Sequence, residues 1–314
     1  MANCTLVPSP LKYAIRQHAF MSDHKQPLKR PVRHRFEALL AHSVFAVLKL
    51  LPAAWASALG GWLGRVAGPV SSAHHTAAKN LSDALPEVPA GERAQILSAS
   101  WDNLGRTMTE YTTLQRMHEN NDNIELTGAE KVAALARKGK PVIFVSAHLG
   151  NWEAVPIALA INAKPPVIVY RAANNPLVDK IIANVRRPYT AGMAPKGAAG
   201  GRQVMKALAR GEHVLMLVDQ KSNTGMEIPF FGRGAFTGTA VARMAARYRC
   251  PVFPVRCERV QGTKFKIVIE EPFEFSDESE EGVRAALTKI NERLEEWIKR
   301  TPGQWLWMHK RWPT

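Results

Sequence analysis

Cysteine is scarce in this chain, acidic residues are outnumbered, and no apolar stretch is long. Cys4, Cys250 and Cys257 are the only thiols in 314 residues. Three cannot make a disulfide framework, and no histidines stand beside them at metal-ligand spacing. Cys250 and Cys257 are expected as buried strand residues, because a free thiol packs as a small hydrophobe. The working part of the chain is therefore expected in a reducing compartment. No uninterrupted apolar run reaches the ~20 residues that cross a bilayer comfortably, and the start lacks the pattern of a secretory signal. No G-x-S-x-G occurs, so nothing resembles a serine nucleophile elbow. Repeats and low-complexity tracts are also missing.

The shortage of acid leaves 42 Lys and Arg against 27 Asp and Glu, a formal charge of +15. A field of that sign attracts polyanions without saying whether they are nucleic acid, anionic membrane or acidic protein. Nine bases fall between Arg171 and Lys221 (Arg171, Lys180, Arg186, Arg187, Lys196, Arg202, Lys206, Arg210, Lys221) against Asp179, Glu212 and Asp219.

Three segments are expected. Residues 1–35 form a basic flexible arm, with Met21 as an internal alternative start. Residues 36–70 are apolar and rich in small residues, but Glu37, His42, Lys49 and Arg65 interrupt them and Pro52 breaks them. Two helices inserted in a membrane interface, or one poor spanning helix, fit this run behind its basic arm. An amphipathic pair packed on the domain fits it too. Residues 71–314 hold the catalytic domain. Within it 71–135 reads as helical, and the short runs 141–146, 165–170, 213–218, 251–257 and 265–271 read as strands, β-branched and bounded by turn formers. Helical patterns at 176–187, 201–210 and 238–248 separate several of them. That alternation predicts an α/β fold with a mixed, largely parallel sheet flanked by helices. Val283, Leu287, Ile290, Leu294 and Trp297 recur at steps of three and four, which makes 279–299 an amphipathic helix.

Strand 141–146 leads into Ala147-His148-Leu149-Gly150-Asn151-Trp152-Glu153. On one continuous helix His148 and Glu153 would lie far apart around the axis. If the strand ends at His148, Gly150 turns the chain and Asn151 caps a new helix, the two side chains can face each other. A carboxylate beside an imidazole fixes its tautomer, so the other ring nitrogen can take a proton from a hydroxyl. The carboxyl end of a strand is also where open α/β sheets bind ligands. Arg171 and Arg202 suit anion contact, and Asp219 and Gln220 end strand 213–218 at the border of the same cleft, or cap and brace it. Pro229-Phe230-Phe231-Gly232 reads as a turn with core aromatics. The tail, with Trp305, Trp307, His309, Lys310, Arg311 and Trp312, mixes aromatics and bases as membrane interfaces do.

Over residues 36 to 312 the chain resembles the lipid A late acyltransferases. The resemblance is carried by SAHLGNWE (146–153), YRAANNP (170–176), PKGAAGGR (195–202), LVDQKSNTGMEIPFFG (217–232), TGTAVARMA (237–245) and GQWLWMHKRW (303–312). It implies a glycerol-phosphate acyltransferase-like fold with an N-terminal membrane-associated helical segment. It also implies an O-acyltransferase at the bacterial inner membrane, facing the cytoplasm, that takes its acyl group from acyl carrier protein. The acceptor is a hydroxyl of the lipid A precursor, and His148 and Glu153 are the catalytic His-x4-Glu pair. Asn151, Arg171, Lys196, Arg202, Asp219 and Gln220 are the expected substrate-binding residues, with no cofactor or metal. Lys221 departs from the acidic or amide residue common at its position. Two alternatives are an acyltransferase of another membrane lipid, with the same dyad, and a basic nucleic-acid-binding protein. The second accounts for the charge and the aromatic tail but not for residues 36–70, and no nucleic-acid-binding motif is present. No nucleic acid partner is expected.

Overall fold

Proline at 52 offers no amide hydrogen to continue a helix, and the apolar N-terminal run divides there. The structure, a computed structural model, describes residues 31–120 and 123–313. Helix α1 (Pro31–Lys49) precedes the break and α2 (Ala53–Ala67) follows it. Most of the expected basic arm, with Cys4 and Met21, lies outside the described residues, and its last five positions already belong to α1. Among the described residues no helix is long and apolar enough to cross a membrane. Helices α3 (Ser72–Ala84), α4 (Ala90–Glu110) and α5 (Leu114–Asn120) come next. Gly60 of α2 and Gly105 of α4 face each other so closely that a Cβ on either would collide with the other's carbonyl oxygen. These glycines clamp the N-terminal pair to the rest of the molecule.

The remaining chain alternates strands and helices. In order it runs β1 (Ile124–Thr127), α6 (Ala129–Arg137), β2 (Ile143–Ser146), α7 (Ala154–Asn162), β3 (Val167–Tyr170), α8 (Pro176–Arg186), β4 (Gly192–Pro195), α9 (Ala198–Ala209) and β5 (Val214–Leu217). It continues through β6 (Met226–Phe230), β7 (Arg233–Thr237), α10 (Ala240–Tyr248), β8 (Val252–Gln261), β9 (Lys264–Ile269) and α11 (Glu280–Arg300). Seven strands form one sheet in the order β1-β9-β8-β2-β5-β3-β4, parallel except for the antiparallel pair β8–β9. The expected mixed, largely parallel α/β sheet flanked by helices is therefore present. Side chains alternate across it as strand geometry demands. Ile143 and Val145 enter the core under α9, α10 and α11, while Phe144 enters the core on the opposite face with α5 and α7. Cys257 is buried in β8 and Cys250 just before it, and burial pushes their thiols up to about 12 and about 11.

Three features differ from the sequence expectation. Strand β1 lies inside the stretch read as helical, and β4 carries Gly192 and Pro195, which hide a strand from propensity. The expected turn at 229–232 is present, with Phe231 and Gly232 at positive φ, but the residues on either side of it pair as an antiparallel hairpin over 226–237 that the sequence reading lacks. The Trp-rich tail is core rather than a surface anchor. Trp305, Trp307, Arg311 and Trp312 are buried, packed around Phe230 and Phe231.

Candidate active site

The carboxyl ends of β2, β5, β3 and β4 open on one edge of the sheet, and a cleft of about 300 Å³ lies there. His148 follows β2, Asp219 and Gln220 follow β5, Arg171 follows β3 and Lys196 follows β4. Leu149 makes a bridge with Trp305 of the tail, and the His148 carbonyl accepts from the Leu306 amide at 3.1 Å. Gly150 turns the chain at φ +58°, and a Cβ there would lie 2.7 Å from the Cys257 carbonyl oxygen. Both facts require glycine.

His148 is held by Asp219. Its Nδ1 lies 2.8 Å from Asp219 Oδ1, and its backbone N–H donates to Oδ2 at 2.9 Å. The Trp305 indole N–H donates to the same Oδ2 at 2.9 Å. Burial works against ionising Asp219, but the imidazole and these donors outweigh it and hold the carboxyl far below the usual range. An ionised Asp219 fixes the proton of His148 on Nδ1 and leaves Nε2 with its lone pair. That lone pair faces the cleft, where the Gln220 Nε2 amide approaches it at 3.3 Å. The edge-on Trp152 ring, with its centroid 5.0 Å away, walls the imidazole in.

Glu153 has other partners, which corrects the expected His148–Glu153 pairing. It precedes the first turn of α7, and Asn151 Oδ1 accepts its amide N–H at 3.0 Å. Its carboxylate accepts from Arg186 Nε at 2.8 Å and from the Tyr111 hydroxyl at 2.6 Å, and that hydroxyl accepts from Arg186 Nη2 at 2.9 Å. Glu153 is 3% exposed. Desolvation opposes its charge, yet the Arg186 guanidinium and these hydrogen bonds bring its pKa below the ordinary value. Burial first, then the Glu153 charge, raises the Tyr111 phenol and keeps it a donor. Asn151 is fully buried and donates to Glu110 Oε2 at 2.7 Å, away from the cleft lining. Glu110, itself buried, also binds Arg259 and Ser57. This cluster ties the 150–153 loop to α4 and β8.

The expected binding residues separate in the same way. Arg171, Lys196 and Gln220 line the cleft. Arg202 is exposed on α9 and outside the lining, and Arg186 and Arg210 are paired with Glu153 and Glu212. His309, from the tail, does line it, and its Nε2 accepts the Lys221 amide N–H at 3.0 Å. Desolvation, aided by nearby cations, lowers its pKa to about 4, so it is neutral near pH 7. The cleft floor and walls are apolar in part, with Trp152, Pro156, Ile168, Ile182, Leu215 and Leu217. Among the described residues no three His, Cys, Asp or Glu side chains converge as a metal site.

A histidine locked in one tautomer by a buried carboxylate, its free nitrogen facing a half-apolar cleft, is the equipment of an enzyme that deprotonates a hydroxyl. The profile of bacterial lipid A biosynthesis acyltransferases matches residues 26–314, and the chain belongs to that family. It is similar to the lipid A biosynthesis palmitoleoyltransferase of Escherichia coli strain K12, 25% identical over 265 residues covering 82% of this chain and 84% of that protein. The lipid A biosynthesis acyltransferase of Shigella flexneri matches to the same extent. The lauroyltransferase of the same Escherichia coli strain is 23% identical over 244 residues, 75% of this chain and 78% of that one.

Proposed function

We propose that this enzyme transfers a fatty acyl group from acyl carrier protein to a hydroxyl of the lipid A precursor, with His148 as general base and Asp219 as its orienting carboxylate. The observation that carries the reading is the His148–Asp219 hydrogen bond at the mouth of the cleft. The acceptor hydroxyl displaces the Gln220 amide from Nε2 and attacks the thioester carbon as Nε2 takes its proton. The tetrahedral intermediate collapses, the carbon–sulfur bond breaks, and the imidazolium returns the proton to the departing thiolate. Asp219 stabilises the transient imidazolium. Glu153 acts at one remove. Its grip on Arg186 pins α8 against the loop and sets the cleft wall. Family membership supports the lipid A precursor as acceptor, and the relatives' names support fatty acyl groups as what is moved.

The reading places the enzyme on the cytoplasmic face of the inner membrane, through α1 and α2. Their outer face exposes Phe36 (68%) and Trp55 (69%), along with Leu39, Val47, Trp62 and Val66, and the turn between them exposes Leu50 (85%). Such a face inserts into the headgroup boundary without spanning. The test is to incubate purified full-length protein with acyl carrier protein thioester and the lipid A precursor in vesicles. Mass spectrometry should show the acceptor gain one acyl mass with wild type and none with His148→Ala. Gain on a phospholipid but not on the lipid A precursor would reassign the acceptor.

A further inference from the structure

A base alone leaves half of the reaction without a partner, because attack on a thioester drives negative charge onto the carbonyl oxygen. Lys196 stands beside the base with no carboxylate paired to it among the described residues. It follows β4, its amide N–H donates to the Tyr170 carbonyl at 2.8 Å, and its side chain runs along the cleft rim. Its ammonium reaches the Gln220 Oε1 at 3.4 Å. The other end of the same amide, Nε2, meets His148 Nε2 at 3.3 Å. Lysine offers donors and no acceptor, so Lys196 sets the direction of the Gln220 amide and turns its N–H groups toward the reacting centre.

We propose, resting on the acyl-transfer reading above, that Lys196 and Gln220 form the electrophilic half of the site and bind the carbonyl oxygen of the acyl thioester as it becomes an oxyanion. When the hydroxyl oxygen bonds to the carbonyl carbon, the carbonyl π pair moves onto oxygen and His148 takes the hydroxyl proton. The Gln220 N–H groups, freed from His148 by the incoming hydroxyl, and the Lys196 ammonium then donate to that oxygen. On collapse the pair returns, the carbon–sulfur bond breaks, and the proton passes from His148 to sulfur. Lys196 stays protonated throughout. Cleft walls desolvate the ammonium and bring its pKa below the ordinary lysine value, and the same desolvation strengthens its attraction to a developing charge.

A rim lysine beside Arg171 would equally grip a phosphate, and the experiment separates the two roles. Full-length wild type, Lys196→Met, Lys196→Arg and Gln220→Leu are assayed for thioester cleavage with water as acceptor. The donors are dodecanoyl-acyl carrier protein and the dodecanoyl thioester of N-acetylcysteamine, which carries no phosphate. The expected result is a saturated rate lower by roughly 10²–10³-fold for Lys196→Met on both donors, with KM little changed. Lys196→Arg should recover part of the loss, and Gln220→Leu should fall in the same direction. A wild-type rate with the phosphate-free thioester, joined to a raised KM for the carrier-protein donor alone, would overturn the inference and make Lys196 a phosphate contact. Equal saturated rates for wild type, Lys196→Met and Gln220→Leu would overturn this inference alone, whereas wild type that moves no acyl group to water or to the lipid A precursor would sink the acyl-transfer reading and this inference with it.

Discussion

Two carboxylates sit beside the 148–153 loop, and they answer to different partners. Asp219 pairs with a histidine, which under the proposed mechanism gains and loses a proton, whereas Glu153 pairs with an arginine that keeps its charge. Removing the Glu153 charge leaves Arg186 buried and unpaired, so Glu153→Gln should cost about 3–5 kcal/mol of stability, read as a lowered denaturation midpoint. Its effect on the saturated rate at low temperature, where the variant is folded, should be much smaller than that of Asp219→Asn. Both carboxyls have folded-state pKa values below their unfolded ones. Each therefore contributes stability in full above the ordinary carboxylate range and loses it as pH falls toward the folded value. Melting temperature measured from pH 7 to pH 3 should drop steeply for wild type and less steeply for Glu153→Gln. His148 and Glu153 are legible in the sequence because six consecutive positions hold them. Asp219 is legible only as a residue that ends a strand. Its pairing with His148 spans 71 positions and depends on β2 and β5 lying side by side, which no local pattern encodes.

At the scale of elements, apolar character splits into two fates that composition alone does not separate. The outer face of α1 and α2 stays exposed, while the equally aromatic tail folds inward and carries Trp305 to Asp219. Substituting Phe36, Leu39 and Trp62 together with Asp should reduce sedimentation with anionic vesicles and leave the melting temperature nearly unchanged, since these side chains are exposed. Trp305→Ala should do the reverse, with vesicle binding kept and stability reduced by about 3–5 kcal/mol through a core cavity. Vesicle binding that survived the triple substitution would remove α1 and α2 as the anchor. Strands β2, β3, β5, β8 and β9 were readable because buried β-branched runs announce themselves. The turn at Phe231-Gly232 is legible too, but its flanking strands β6 and β7 are not, since Pro229 and Gly234 within them hide a strand from propensity. The burial of the tail is not legible in the sequence, because Trp, Lys and Arg side by side look alike in an interface and in a core. Only the packing of Trp312, Arg311 and Phe230 decides between them.

For the molecule as a whole, the proposed function has the +15 charge and the exposed apolar face of α1 and α2 act together. An acidic carrier protein and a phosphate-bearing lipid are both drawn to a basic surface, and that attraction weakens with salt because exposed charges more than ~10 Å apart are largely screened at 0.1 M. The donor KM should rise with ionic strength while the saturated rate holds, and excess single-stranded DNA should not inhibit at physiological salt. Strong inhibition there would favour a nucleic-acid role for the basic surface. The mean fold, a largely parallel sheet with helices on both faces, follows from alternating strand and helix patterns, but the strand order that joins His148 to Asp219 does not. The account therefore rests most directly on one number, the saturated rate of acyl transfer to the lipid A precursor by folded Asp219→Asn enzyme relative to wild type. A loss of about 10²–10⁴-fold is expected, the usual worth of a positioned general base. A rate equal to wild type would contradict the assignment of Asp219 as the group that orients His148.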